Sequence, residues 1–491
     1  MSWNRKKYNR KDHKLRVDAI FNELVRDYRS LDKSGLFVRV EQIIRDPDSK
    51  DCQPGYIVEF SVLTKKIYDY DKETILRYET KRPTDNSGLI EKSKDENHKD
   101  KGISIENYRP FFVFLTIRIT EQELNRFKGL KNRWSKAEFH KKPRPRDYSA
   151  NLICSASPFR IYKKQIYILN NLGPFKFDGK DINTLTKADY NVKKFNNCSA
   201  KTNDIETELD NAWSAKGYEY IDIYNVGHGN ADYIVCHDKK KILYDIGVPY
   251  PGYSLKSYSK AASAFYQLKP NLVIISHWDA DHYMGCVYAN DDVFDVKWIA
   301  PFQFTEANDD ISINLFRLAA YLMATDKLML VDLNNAGKLV ASSGTKDNAI
   351  KLLMGSCTSC PDNISKKNRE GLYIELGEKD DKISVLAGDV SYNSMDSSIF
   401  SKQLAFLHVP HHGSKMKLSR LLNSQWGKHA VISTKYKLGS TEVNFSHERV
   451  LNTTFNGNVH NTSEYYGDLR SIRLLKSGEV QKIISDNYII I

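Results

Sequence analysis

The chain has 491 residues, 41% of them hydrophobic, and a formal net charge of +12. That length exceeds what one hydrophobic core usually supports, and the apolar content excludes a disordered or low-complexity chain. No apolar run approaches the roughly 18 residues that cross a bilayer, the first residues are polar rather than signal-like, and seven scattered cysteines suit a reducing compartment, so the expectation is a cytoplasmic protein without membrane contact.

The charge is uneven. Residues 1–200 carry 42 Lys and Arg against 27 Asp and Glu, a net +15, whereas residues 201–491 carry 31 against 34, a net −3. In chain order, Asn4 to Arg16 is a basic stretch, either a nucleic-acid contact or a frayed arm. Arg16 to Tyr28 reads as a helix; Leu36 to Val40, Tyr56 to Phe60 and Phe111 to Ile119 read as strands; and Asp85 to Gly102 reads as an exposed loop. Thr120-Glu121-Gln122-Glu123 starts a capped helix whose apolar face is Leu124, Phe127 and Leu130. The run that follows interleaves basic and aromatic residues, among them Lys131, Arg133, Trp134, Lys141, Lys142, Arg144 and Arg146. Such a mixture can neutralise phosphates and stack on bases, or it can be a solvated basic loop. The polar stretch after Asn196 marks a boundary between a basic, mixed α+β accessory domain over residues 1–205 and a second domain over 216–491.

The second domain opens with a strand from Ile221, a turn bracketed by Gly227 and Gly229 around His228, and a strand through Val235. Lys241 to Tyr244 is a strand ending at Asp245, and Leu272 to Ile275 is an apolar strand running into Ser276-His277-Trp278-Asp279-Ala280-Asp281-His282. Four candidate ligands in six residues, beyond a buried strand, point to a metal, and imidazole with carboxylate suits zinc, manganese or iron. Alternate residues of an extended segment share a face, so one pair of ligands can serve one ion and another pair a second. Cys357-x-x-Cys360 is a lone pair that does not define a zinc site. Lys382 to Asp389 is a strand ending in Gly-Asp, with Asp389 either a ligand or a helix cap. Leu404 to Ser414 is a strand running into His411-His412-Gly413-Ser414, with His408 inside the strand, and Ala430 to Ser433 is a further apolar strand before Ser446-His447-Glu448.

These motifs resemble the metallo-β-lactamase fold, whose commoner loop reads His-x-His-x-Asp-His; Asp279 replaces the second histidine, a variant similar to the hydrolase domain of the ComEC family of competence proteins. The stretch Asn368 to Leu376 also resembles that family's Asn-x-x-Ser-Leu-Val strand. The resemblance covers roughly residues 218–455 and implies an αββα sandwich. It implies two divalent ions, Mn²⁺ or Zn²⁺ with Mg²⁺ as a further option, held by His277, Asp279, Asp281, His282, Asp389 as the bridge, and His411. Asp281 and His412 are then the catalytic candidates, although one of His411 and His412 is a ligand and sequence does not choose which. Asp245 implies an orienting partner of the metal loop, while His228, Ser414 and His447 stand at motif positions whose roles stay open. Asn230 departs from the family's Asp. No His lies between His282 and His408, so one ion is weakly held or completed by carboxylate and water.

The resulting expectation is a nuclease or phosphodiesterase that cuts DNA or RNA with a metal-activated water, in bacterial defence or DNA processing, the basic domain presenting the polyanion. Hydrolysis of a small phosphorylated or cyclic nucleotide, with the basic region binding a protein partner, is the alternative; a metal-binding scaffold or sensor is the third.

Overall fold

The structure, a computed structural model, describes residues 36–45, 55–64, 67–69, 71, 111–130, 134–139, 148–156, 166–169, 174–177, 195, 199–227, 229–248, 265, 267–304, 312–356, 365–422, 427–434, 444–462, 472–484 and 487–490. The described residues form a mixed α/β arrangement with three sheets and few helices. The chain forms two compact units, Met1–Asn197 with Glu306–Thr325, and Cys198–Thr305 with Asp326–Ile491.

The first unit contains β1 (Leu36–Arg45), β2 (Gly55–Thr64), β3 (Phe111–Thr120), β4 (Trp134–Phe139), β5 (Tyr148–Ala156), β6 (Ile166–Leu169) and β7 (Pro174–Phe177). Among the described residues every pairing of this sheet is antiparallel. Because β3 pairs with both β2 and β5, the order β3-β2-β1-β4-β7-β5 closes on itself into a barrel, with β6 attached to β5. Register explains the apolar lining, since Val38 faces Val62, Val40 faces Phe60 and Phe60 faces Leu115, all buried. The helix Glu121–Lys128 is capped reciprocally by Thr120 and Glu123 and sets Phe127 edge-on against Phe60.

The helix Ile313–Ala324 also belongs to this unit, although its sequence lies between two strands of the other. Arg317 Nε meets Asp71 Oδ2 at 2.9 Å, both side chains fully buried. The Asn314 amide meets the Val113 backbone from both ends, accepting from its N–H at 3.2 Å and donating to its carbonyl at 3.3 Å. A single cut in the sequence between residues 205 and 216 therefore misses this insertion. It also misplaces the polar stretch, which forms the helix Thr202–Ala212 of the second unit and buries Ile205, Leu209 and Ala212.

The second unit contains two sheets. One is built from β8 (Tyr218–Ile223), β9 (Asp232–Cys236), β10 (Lys241–Tyr244), β11 (Leu272–Ile274), β12 (Lys297–Pro301), β13 (Leu328–Val331), β21 (Ile472–Leu475), β22 (Val480–Ile484) and β23 (Asn487–Ile490), in the order β13-β12-β11-β10-β9-β8-β21-β22-β23. The other runs in sequence order through β14 (Leu339–Ser343), β15 (Ile350–Met354), β16 (Leu372–Gly377), β17 (Ile383–Leu386), β18 (Leu404–His408), β19 (His429–Ile432) and β20 (Val459–Asn461). Ile234, Ile242, Ile274 and Ile299 of the first sheet share one core with Leu352, Ile374, Leu386 and Val431 of the second, so the sheets pack face to face. A second core of Val385, Leu407 and Ile432 lies on the other face of the second sheet, covered by Leu421 and Leu451 from helices Ser419–Leu422 and Phe445–Thr454.

What positions the site is a pair of parallel stretches, β10-β11-β12-β13 and β17-β18-β19-β20. Tyr244 is level with Ile274, and Leu386 with His408 and Val431. Loops leaving these ends gather side chains from distant sequence positions.

Candidate metal centre

Asp245 follows β10 with a φ of 57°, a left-handed turn that aims its carboxylate at the loop after β11. There it accepts from the Ser276 N–H at 2.7 Å and the Ser276 hydroxyl at 2.8 Å, and it holds His282 Nδ1 at 2.7 Å. Nδ1 therefore carries a proton, and His282 Nε2 points away from Asp245 into the centre. Two glycines allow the close fit. A Cβ on Gly247 would fall 1.6 Å from the Asp281 carbonyl oxygen, and one on Gly388, whose φ is 54°, would fall 2.6 Å from Ser276 Cβ.

Asp389 leaves β17 between the resulting imidazoles. Its Oδ1 lies 3.3 Å from His282 Nε2 and 4.0 Å from His412 Nε2, while its Oδ2 lies 3.7 Å from His277 Nε2 and 3.5 Å from His411 Nε2. His411 and His412 are both left-handed, at φ 51° and 55°, ahead of Gly413 at 75°. This tight reversal splits the two imidazoles. His412 is buried, donates from Nδ1 to the Ser433 carbonyl at 2.6 Å and presents Nε2 to Asp281 Oδ2 at 3.3 Å, whereas His411 is 32% exposed.

Among the described residues two groups of donors can hold a metal ion, His277 with His282 and Asp389, and Asp281 with His282 and His412. Of the two histidines between which the sequence does not choose, His412 stands among the donors and His411 stands at the exposed side of Asp389. The physical reason is the left-handed pair, which sequence spacing does not reveal. Asp279 also stands outside both groups, with Oδ2 3.1 Å from His277 Nε2 and Oδ1 2.5 Å from Lys367 Nζ.

The electrostatics follow the packing. Burial pushes the Asp389 carboxyl upward, but His282, His411 and His277 outweigh it and hold it well below the carboxylate range. Asp281 is likewise held low against burial by His282 and His412. Asp279 is held far down, against burial, by the Lys367 ammonium and His277. Burial pulls the His282 and His412 imidazoles down, and the surrounding carboxylates raise both, His282 well above its ordinary value.

The donor set fits a divalent ion. His282 Nε2 and Asp389 Oδ1 are fully buried, face each other and have no hydrogen-bond partner among the described residues, which is the arrangement a cation between them satisfies.

Other positions separate from the centre. His447 accepts from the Tyr392 hydroxyl at Nε2 (2.8 Å) and donates from Nδ1 to the Ser414 carbonyl (3.0 Å), and burial lowers it to about 4, so it braces the His411-His412 turn. His408 is buried at the end of β18 against Asp232, 2.7 Å away. His228, Lys131, Arg133, Lys141, Lys142, Arg144, Arg146, Cys357 and Cys360 lie outside the described residues, as does the Trp134 side chain at the start of β4.

Three further residues shape the centre without having been read from sequence as site residues. Lys367 and Asn368 sit on the short helix Lys366–Arg369, where the Asn368 amide donates to Asp389 Oδ2 at 3.0 Å. Gln303, beyond β12, donates to the Lys367 carbonyl at 2.6 Å and to that of Glu370 at 3.3 Å. The family-like pattern starting at Asn368 was the one available signal; nothing local marks Lys367 or Gln303.

No protein-family model matches the chain, and no curated protein does. Among solved structures, a mutant of CmlA beta-hydroxylase is similar over 66% of this chain and 69% of its own, at 9% identity and a TM-score of 0.29. Among the described residues no helix is long and apolar enough to cross a membrane.

Proposed function

We propose that the chain is a metal-dependent hydrolase of the metallo-β-lactamase class, its two packed sheets flanked by helices in αββα order. More particularly, we propose a nuclease or phosphodiesterase acting on DNA or RNA. The observation that carries the reading is the buried, mutually facing pair of His282 Nε2 and Asp389 Oδ1, inside a cluster completed by Asp281 and His412.

A divalent ion in such a cluster makes water nucleophilic near neutral pH and offsets charge growing on a phosphoryl oxygen. The chain's own residues prepare for that chemistry. Asp245 and the Ser433 carbonyl fix the two imidazoles by their Nδ1 protons, so both present Nε2 inward. The low carboxyls of Asp281 and Asp389 keep negative charge where a cation belongs. His411 has the exposure to meet the scissile group. The +15 balance of residues 1–200 supports a polyanionic substrate over a neutral one.

The test is to strip the purified chain of metal, refill it with Mn²⁺, Mg²⁺ or Zn²⁺, and incubate it with end-labelled single- and double-stranded DNA and RNA. We expect metal-dependent cleavage that drops at least about 10³-fold in Asp281→Ala, with the fold retained by circular dichroism. Equal cleavage by parent and variant removes the site assignment, and absence of cleavage with every metal removes the nuclease reading.

A further inference from the structure

We propose that Lys367 is a built-in counter-cation on the His277 side of the centre, so that the chain takes one divalent ion, through His282, instead of two. The inference rests on the metal-dependent reading above and concerns how the charge of that site is balanced.

The two donor groups share His282. Its Nδ1 is committed to Asp245, so only Nε2 can bind metal, and one lone pair serves one ion. The remaining donors divide unequally about Asp389. On one side, Oδ1 and His282 Nε2 are buried without a hydrogen-bond partner among the described residues, beside Asp281 and His412. On the other side the needs are met by protein. Oδ2 accepts from the Asn368 amide at 3.0 Å, and Asp279 Oδ1 meets the Lys367 ammonium at 2.5 Å while its Oδ2 meets His277 Nε2 at 3.1 Å.

Lys367 is fixed rather than draped. Its carbonyl accepts from Gln303 Nε2 at 2.6 Å, and its helix is capped by the Ser365 hydroxyl, which accepts from the Asn368 N–H at 3.2 Å. An ammonium so placed neutralises the carboxylate that a second ion would require and repels a dication from the same spot. A histidine from the stretch between His282 and His408, which would strengthen a second ion's grip, is absent from the sequence.

Equilibrium dialysis of the full chain against Mn²⁺ and, separately, Zn²⁺, followed by elemental analysis, reads the number of ions directly. The parent should hold one tightly bound ion per chain, Lys367→Met two, and Lys367→Arg one, because arginine restores the cation. Retention of the first ion shows that the methionine variant is folded. Two ions of similar affinity in the parent, or a single ion in Lys367→Met, overturns the proposal, and a parent that binds none overturns both this proposal and the metal-dependent reading. Stoichiometries of one, two and one without cleavage of any substrate leave the proposal standing and overturn the hydrolase reading alone.

Discussion

The buried aspartates of the metal centre and the buried Glu59 of the first unit behave in opposite ways. Asp389 and Asp281 in the second unit are held below the ordinary range, whereas burial, reinforced by Glu41, pushes Glu59 on β2 up to about 8. All three are less than a tenth exposed, so burial alone does not set the direction. The difference is what lies within reach. Each aspartate has imidazoles around it, while the Arg39 guanidinium that approaches the barrel's acids closes on Glu41 with two bonds of 2.9 and 2.8 Å, and Glu59 Oε2 has no partner among the described residues. Asp71 is the intermediate case, buried in the first unit and matched by Arg317 from 246 residues away. Charge in the centre is thus kept for binding, and charge in the barrel is either paired or suppressed.

Removing the Asp71 partner should be the largest stability effect. Asp71→Ala leaves the buried Arg317 guanidinium without this carboxylate, and loss of one member of a buried pair costs about 3–5 kcal/mol. Thermal melts should show the drop; a variant as stable as the parent would mean that the pair does not anchor the inserted helix.

A smaller effect is expected in the centre itself. Asp245→Asn removes the charge that orients His282, and such partners are worth about 10–100-fold in metal affinity. Competition with a chromophoric chelator measures it, and unchanged affinity would detach Asp245 from the site.

A pH-dependent perturbation concerns Glu59, and its sign follows from protonation. With a value near 8 folded against an ordinary 4.5, the unfolded chain loses this proton first as pH rises. The group's contribution to stability is fully present below pH 4.5, declines by up to about 1.4 kcal/mol per pH unit above it, and stops changing above pH 8. Glu59→Gln should therefore match the parent at pH 4 and exceed it in melting temperature at pH 8. Parallel pH profiles for the two proteins would show that Glu59 is ionised in the barrel.

Much of the centre was legible because its chemistry is local. His277 to His282 lie within six residues after an apolar strand, which by itself suggests convergence on an ion, whereas Asp389 and His411-His412, each after another strand, were marked by the resemblance to the metallo-β-lactamase motifs. Asp245 was marked by the same resemblance. The barrel's β1, β2 and β3 were visible as alternating or apolar runs, and the capping box before Phe127 as a four-residue pattern. By contrast, the inserted helix Ile313–Ala324 reads as any apolar helix between two strands; its membership of the first unit depends on Asp71 and Val113, far away in sequence.

The sequence by itself determined which residues can bind a metal and which strands carry them, because ligand type and hydrophobic period are properties of short segments. Tertiary structure alone decided how those residues divide their work. The left-handed turn at His411 and His412 chose which imidazole goes inside, Asp389 received different partners on its two oxygens, and Lys367 came to rest on Asp279. Those outcomes depend on distances of a few ångströms between strand ends that the chain brings together only on folding, and electrostatic interactions change most steeply over that range.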